Sequence, residues 1–164
     1  MRHQQWLGDR SEFGLSSDWD SYLCRLGSDL ASIYLDLGIA VQAPMGTHPF
    51  VAMLSVTMLS PAENGMSTDE EFDALIALED HLTERLHGDG TIYIGRITTG
   101  GRRIFYFYCG EVEAFALDAK AAMEGHANYS YEAGNRADPD WSTYFDFLYP
   151  KPDDYRRIRN RRLD

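Results

Sequence analysis

The side chains in this sequence able to do chemistry near neutral pH are five histidines, several acidic pairs, two cysteines and a run of arginines. A metalloprotease helix would carry H-E-x-x-H, with both imidazoles on one helical face. His3, His48, His81, His87 and His126 make no such spacing. His81 and His87 lie six positions apart, which puts them on different faces of a helix. Surface and capping roles are expected of them; for His87 that role is complementing a helix dipole at its C-terminal end. Two carboxylates work as acid and base when their environments differ and a substrate sits between them. Asp69, Glu70, Glu71 and Glu111 fall instead at the expected starts of helices, where negative charge is stabilising. There is no G-x-S-x-G elbow, no G-x-G-x-x-G and no Walker loop. Cys24 and Cys109 have no metal-type spacing and are expected as small core residues. The sequence therefore predicts no catalytic residue, no metal and no cofactor.

Charge is the strongest signal. The chain has a net charge of −11, unevenly spread. Residues 1–150 hold 9 basic and 23 acidic side chains; residues 151–164 hold 6 basic and 3 acidic ones. An acidic body repels phosphate backbones, so direct nucleic-acid binding is not expected. Arg156, Arg157, Arg159, Arg161 and Arg162 form the cationic anomaly. Two roles suit them. They neutralise the acidic body within the same chain, or they form a docking patch for an acidic protein partner or a second copy. Arginine fits the latter because its planar fork binds carboxylates through two hydrogen bonds.

The elements that position these residues read clearly. Residues 1–16 form a polar arm, and 17–164 form one α+β domain. Trp19 to Arg25 and Ala31 to Leu37 alternate as a β-hairpin turning near Gly27-Ser28. Phe50 to Leu59 is apolar on both faces, as an interior strand would be. Ser67 and Glu70 make a capping-box pattern ahead of a helix at about 68–87. Thr91 to Thr98 and Arg102 to Cys109 form a second hairpin around Gly100-Gly101, with Ile92 and Ile94 on one face and Tyr93 and Ile97 on the other. A helix follows at about 111–124, and then an alternating strand containing Ala127, Tyr129, Tyr131 and Ala133. From 50 to 134 the order is β-α-β-β-α-β, which predicts a ferredoxin-like sandwich. Asp138-Pro139 opens a short helix carrying Trp141, Tyr144, Phe145 and Leu148, and a last helix at about 152–162 is anchored by Tyr155 and Ile158.

RNA recognition motifs share this element order, and RIFYFY at 103–108 resembles their aromatic third strand. Arg103 replaces the expected glycine, and core packing accounts better for these aromatics. The ordered landmarks are Asp18-Trp19-x-x-Tyr22, SIYLDLG at 32–38, STDEEF at 67–72, YIGRITTGGRRIFYFY at 93–108, W-x-x-YFDFLYP at 141–150 and Asn160-Arg161-Arg162. Over about residues 17–162 they resemble the bacterial domain-of-unknown-function family 695. The resemblance implies no established biochemical activity. Relatives are sometimes joined to domains like the regulator of ribonuclease activity B, an acidic inhibitor of ribonuclease E; such a domain would follow Asp164.

The expectation is a non-enzymatic regulatory or protein-interaction domain, in its most concrete form one that modulates a ribonuclease through protein contacts. A small-ligand-binding domain is the rival, with a pocket between the N-terminal hairpin and the main sheet lined by Tyr93, Tyr106 or Tyr108. The first 13 residues carry no apolar secretion core, and no apolar run approaches the ~20 residues of a membrane span. A cytoplasmic protein, with a homodimer as one assembly open to it, is expected.

Overall fold

The computed structural model describes residues 15–88 and 90–164; most of the polar arm lies outside the described residues. Six strands form one antiparallel sheet: β1 (Trp19–Leu26), β2 (Asp29–Asp36), β3 (Phe50–Thr57), β4 (Thr91–Thr99), β5 (Arg102–Cys109) and β6 (Tyr131–Ala137). Their spatial order is β1-β2-β4-β5-β3-β6. The hairpin β1–β2 continues the sheet beyond β4, with Ile33 opposite Ile97. β3 is paired on both sides, with β5 and β6, which explains why it is apolar on both faces.

Helices α1 (Asp69–Leu86) and α2 (Val112–Glu124) pack on one face of the sheet. Leu75, Leu78 and Leu82 from α1 and Phe115, Ala119 and Ala122 from α2 meet Leu54, Phe105 and Phe107 there. Each fully buried leucine contributes about 2 kcal/mol from the removal of apolar surface from water. The opposite face is covered by residues 37–45, a π-helical turn at Thr143–Leu148 and helix α3 (Pro152–Leu163). Ile33, Leu35, Ile92, Ile94, Tyr108, Trp141, Tyr144 and Ile158 form this second core. A sheet buried on both faces leaves Tyr106 and Tyr108 covered, so bases cannot stack on them as on an RNA recognition motif.

Four local expectations are corrected. The register between β4 and β5 shifts between Tyr93 and Gly95. This bulge returns Ile97 to the face of Ile92 and Ile94, and it puts Arg96 and Thr98 on the helix side with Tyr93. Gly95 is required because an added Cβ would lie 2.5 Å from the Tyr34 carbonyl oxygen. The last strand begins at Tyr131, four residues later than alternation suggested, because Tyr129 is drawn into a turn where its hydroxyl donates to Glu71 Oε2 at 2.7 Å. The capping box does not form. Thr68 precedes α1 and its hydroxyl donates to the Ser60 carbonyl, while Glu71 reaches back to accept from the Leu59 and Ser60 amides, both at 2.8 Å. Asp138 and Pro139 do not open the helix: a turn follows them, the π-helical turn Thr143–Leu148 has Ser142 at its N-cap, and Asp138 accepts from the Ser142 and Thr143 amides from outside it. Gly100 and Gly101 take positive φ of 57° and 80°, as the tight β4–β5 turn requires. Among the described residues no helix is long and apolar enough to cross a membrane.

Candidate interaction site

Helix α3 begins with Pro152 at its first turn, where a missing amide proton costs nothing. Its inner face docks through Ile158, which is fully buried, and Tyr155, which is half-buried. The five arginines divide by position along this helix. Arg162 forks onto Asp18, with Nη2–Oδ1 at 3.0 Å and Nη1–Oδ2 at 3.2 Å, and its Nε donates to Asp20 Oδ2 at 2.8 Å. Arg161 donates to Asp20 Oδ1 at 2.6 Å and to the Ser21 carbonyl at 2.7 Å. Burial of the Asp20 carboxyl opposes ionisation, but the bonds from Arg162, the Ser21 amide and Arg161 win and hold it below the usual aspartate range. These two arginines therefore tie the last turn of α3 to β1. Arg156 pairs within the helix with Asp153 at 3.1 Å, and Arg157 pairs with Asp154. Arg159 has no hydrogen-bond or ion-pair partner among the described residues.

Arg159 stands on a groove of about 590 Å³ alongside α3. Tyr149, Pro150, Pro152, Tyr155 and Leu163 line it, with Arg156, Arg159 and Asn160 at its polar rim. The Tyr149 and Tyr155 rings lie nearly parallel, 19° apart with centroids at 6.1 Å, and make a rigid aromatic wall. Leu163 is 85% exposed at the far end. An open apolar trough with an uncompensated guanidinium on its lip can hold an extended segment through apolar contact and anchor one carboxylate by a charge-assisted bond. The arginines were legible as a charge anomaly. Of the groove's tyrosines and prolines only Tyr155 was flagged, as an anchor of α3; Tyr149, Pro150 and Pro152 lie before or at the start of the helix, where periodicity carries no signal.

The three tyrosines named from sequence do not share a pocket. Tyr93 is on the helix side of the sheet, and its hydroxyl donates to Glu79 Oε2 at 2.9 Å. Tyr106 and Tyr108 lie on the opposite side. Tyr106 borders a hollow of about 280 Å³ with Met53, Arg136 and Phe147. The Tyr108 hydroxyl donates to Asp138 Oδ2 at 2.7 Å, and burial together with that bond keeps it protonated.

Alternation of strand residues also hid a buried polar network under α1. Glu79 pairs with Arg96, whose guanidinium sits 4.5 Å over the Tyr34 ring. Arg103 donates to the Thr98 hydroxyl at 3.0 Å and to Ser67 Oγ at 3.4 Å. Burial, reinforced by the like charge of Arg96, lowers the Arg103 pKa to about 10. Burial likewise raises Tyr93, and Glu79 raises it further. Glu79 joins Tyr93 and Arg96, and Arg103 reaches Ser67 ahead of α1, so the network clamps α1 to the sheet. Among the described residues no cluster of three or more histidine, cysteine or acidic side chains could hold a metal ion, and Cys24 and Cys109 are unbridged.

The fold and surface define an α+β domain with a six-stranded antiparallel sheet sandwiched between helices and a C-terminal cap. Within that class, the chain belongs to DUF695, a family of unknown function, which matches residues 17–149. Helix α3 lies beyond that match, and of the groove's lining only Tyr149 falls within it. No curated protein and no solved structure matches the chain.

Proposed function

We propose that this protein is a non-enzymatic interaction domain of the bacterial cytoplasm, and that its groove along α3 takes an acidic segment of a partner protein. The observation that carries this reading is Arg159. It is a cation with no hydrogen-bond or ion-pair partner among the described residues, on an apolar trough, in a chain whose other α3 arginines are paired and whose residues 1–150 hold 23 acidic side chains. The order β4-β5-β3-β6, with α1 and α2 on one face, supports a ferredoxin-like core extended by the β1–β2 hairpin. The most concrete partner class is a ribonuclease of RNA decay, bound through protein contacts. The groove's volume of about 590 Å³ also falls in the range of small-molecule sites, but its open form favours a polypeptide.

The test places a photo-cross-linking amino acid at Asn160 in living bacteria, with Arg159→Glu and Leu163→Asp as comparisons. One adduct, attached through an acidic stretch and lost in both variants, supports the reading. An adduct unchanged by both variants overturns it, and an adduct to a second copy assigns the groove to self-association. Purified ribonuclease E, assayed on a structured RNA with micromolar protein, tests the concrete version; an unchanged cleavage rate removes it.

A further inference from the structure

The two edges of the sheet are treated differently. Just outside β6, the Thr57 amide donates to the Ser130 carbonyl and the Asp138 amide donates to the Pro49 carbonyl. Bonded positions alternate along an antiparallel strand. Glu132, Gly134 and Arg136 therefore turn their amides and carbonyls toward β3, and Tyr131, Ala133, Asn135 and Ala137 turn theirs outward. No strand pairs with that outer side among the described residues. At the opposite edge, the outward groups of β1 are taken at Ser21. Asp20 Oδ1 accepts from the Ser21 amide at 2.8 Å, and Arg161 donates to the Ser21 carbonyl at 2.7 Å. A sheet edge is ordinarily blunted by proline, lysine, a bulge or a covering element. The sequence YEAGNRA of β6 has neither proline nor lysine, and its register against β3 is unbroken.

We propose that β6 pairs with β6 of a second copy of this chain, antiparallel about a two-fold axis at Gly134, joining two sheets into one. The strand is self-complementary in that register. Outward groups must meet outward groups, so odd-numbered positions face odd-numbered ones and every second register is excluded. With Gly134 opposite itself, Tyr131 faces Ala137 and Ala133 faces Asn135, and each such pair exchanges two hydrogen bonds. Glu132 of each copy then stands opposite Arg136 of the other, in the closer, non-hydrogen-bonded kind of pair, where opposite charges attract across strands. The next allowed register sets Glu132 against Gly134 in one direction and against Asp138 in the other, so the attraction is lost or becomes repulsion. Both charges are available. Glu132 is 84% exposed and meets Arg102 at 4.0 Å, and Arg136 is exposed and donates to the Thr143 hydroxyl with donors to spare. They lie on the cap side of the sheet, opposite Ser55 and Val51. Between them the exposed Met53 leans over Gly134, its Cε 3.9 Å from where a Cβ would stand. The glycines at the axis thus leave room for one methionine from each copy. Helix α3 is tied to β1, at the other edge of the sheet, so its groove stays open in the dimer.

The experiment follows untagged full-length protein by sedimentation velocity from micromolar to millimolar concentration, with circular dichroism to establish that each variant is folded. The parent should pass from monomer to dimer within that range. Glu132→Arg and Arg136→Glu should each weaken the dimer about tenfold or more, because two like-charge pairs replace two opposite ones, and the double variant should restore it. Ala133→Pro removes an outward amide and no bond to β3, and it should abolish the dimer. In a Cys24→Ser background, Gly134→Cys should form an intermolecular disulfide on mild oxidation, since the axis brings the two sites within bridging distance, whereas Ala137→Cys should not. Arg159→Glu and Leu163→Asp, at the α3 groove, should leave the dimer unchanged, so the two readings fail separately. A parent that stays monomeric at millimolar concentration overturns the proposal. So does a dimer that survives both charge reversals and the proline, a double variant that fails to restore it, or a dimer lost in the groove variants.

Discussion

The Trp141 indole lies flat on the Tyr108 ring, with centroids 3.8 Å apart and planes 7° from parallel. The same indole donates from Nε1 to the His48 carbonyl at 3.0 Å, and Trp141 adopts a left-handed backbone with φ of 55° to reach it. A bulky residue there is strained, and the stack, the hydrogen bond and full burial offset that strain. Trp141→Ala is expected to cost about 3–5 kcal/mol in urea unfolding, the range for emptying a large aromatic site. Trp141→Phe should cost markedly less while losing the indole's near-ultraviolet signature.

Asp138 organises the same corner. Its burial disfavours charge, but bonds from Ser142, the Thr143 amide and Tyr108 hold its pKa at about 2, against an ordinary value of 3.8. A carboxyl depressed by folding contributes stability that is fully present above the ordinary pKa and lost as pH falls toward the folded one. The contribution is about 2 kcal/mol, fading between about pH 4 and pH 2. Asp138→Asn should therefore flatten the acid limb of stability against pH, as measured by chemical denaturation from pH 2 to pH 7.

Glu79 and Arg96 form a buried pair beneath α1. Removing one member leaves the other charged and buried, so Glu79→Ala should cost about 3–5 kcal/mol. The double variant Glu79→Leu with Arg96→Met should recover much of that loss. Recovery no better than the single variant would mean that the pair does more than cancel its own charges.

The α3 arginines separate in a salt titration. Arg162 and Asp18 are each about half exposed, 42% and 50%, so their attraction is screened. Arg162→Ala should lower global stability by at most about 1 kcal/mol, and high salt should erase the difference. Ile158→Ala should cost about 2–5 kcal/mol at any salt. Arg159→Glu should leave stability within about 0.5 kcal/mol of the parent, because Arg159 makes no hydrogen bond or ion pair among the described residues.

Element types and order were legible because period-two and period-3.6 patterns report which face is buried, and both cores obey them. The misses arise where a long-range contact overrides a local rule. Gly95 is an ordinary strand glycine until Tyr34 packs against it, and only then does the bulge reverse Ile97. Ser67 and Glu70 satisfy a capping pattern, yet Glu71 takes the neighbouring amides because the β3–α1 loop brings them within reach. His81 Nδ1 meets His126 Nε2 at 2.8 Å, and no motif spacing pairs residues 45 apart. Arg161 and Arg162 were readable as neutralising the body, but that β1 supplies their partners is a property of the folded chain.

The bonds between Arg162 and Asp18 and Asp20 also bear on when the molecule can be finished. Asp20 leaves the ribosome 142 residues ahead of Arg162, on the order of ten seconds at bacterial synthesis rates. Over the same interval Tyr22 awaits the Leu148 carbonyl it donates to, and the His48 carbonyl awaits Trp141. During translation the hairpin face bearing Ile33 and Leu35 therefore stays uncovered until the cap emerges. The nascent chain carries an open apolar sheet face until the segment bearing Trp141, Tyr144, Leu148 and Ile158 has emerged, and only then does the second core close.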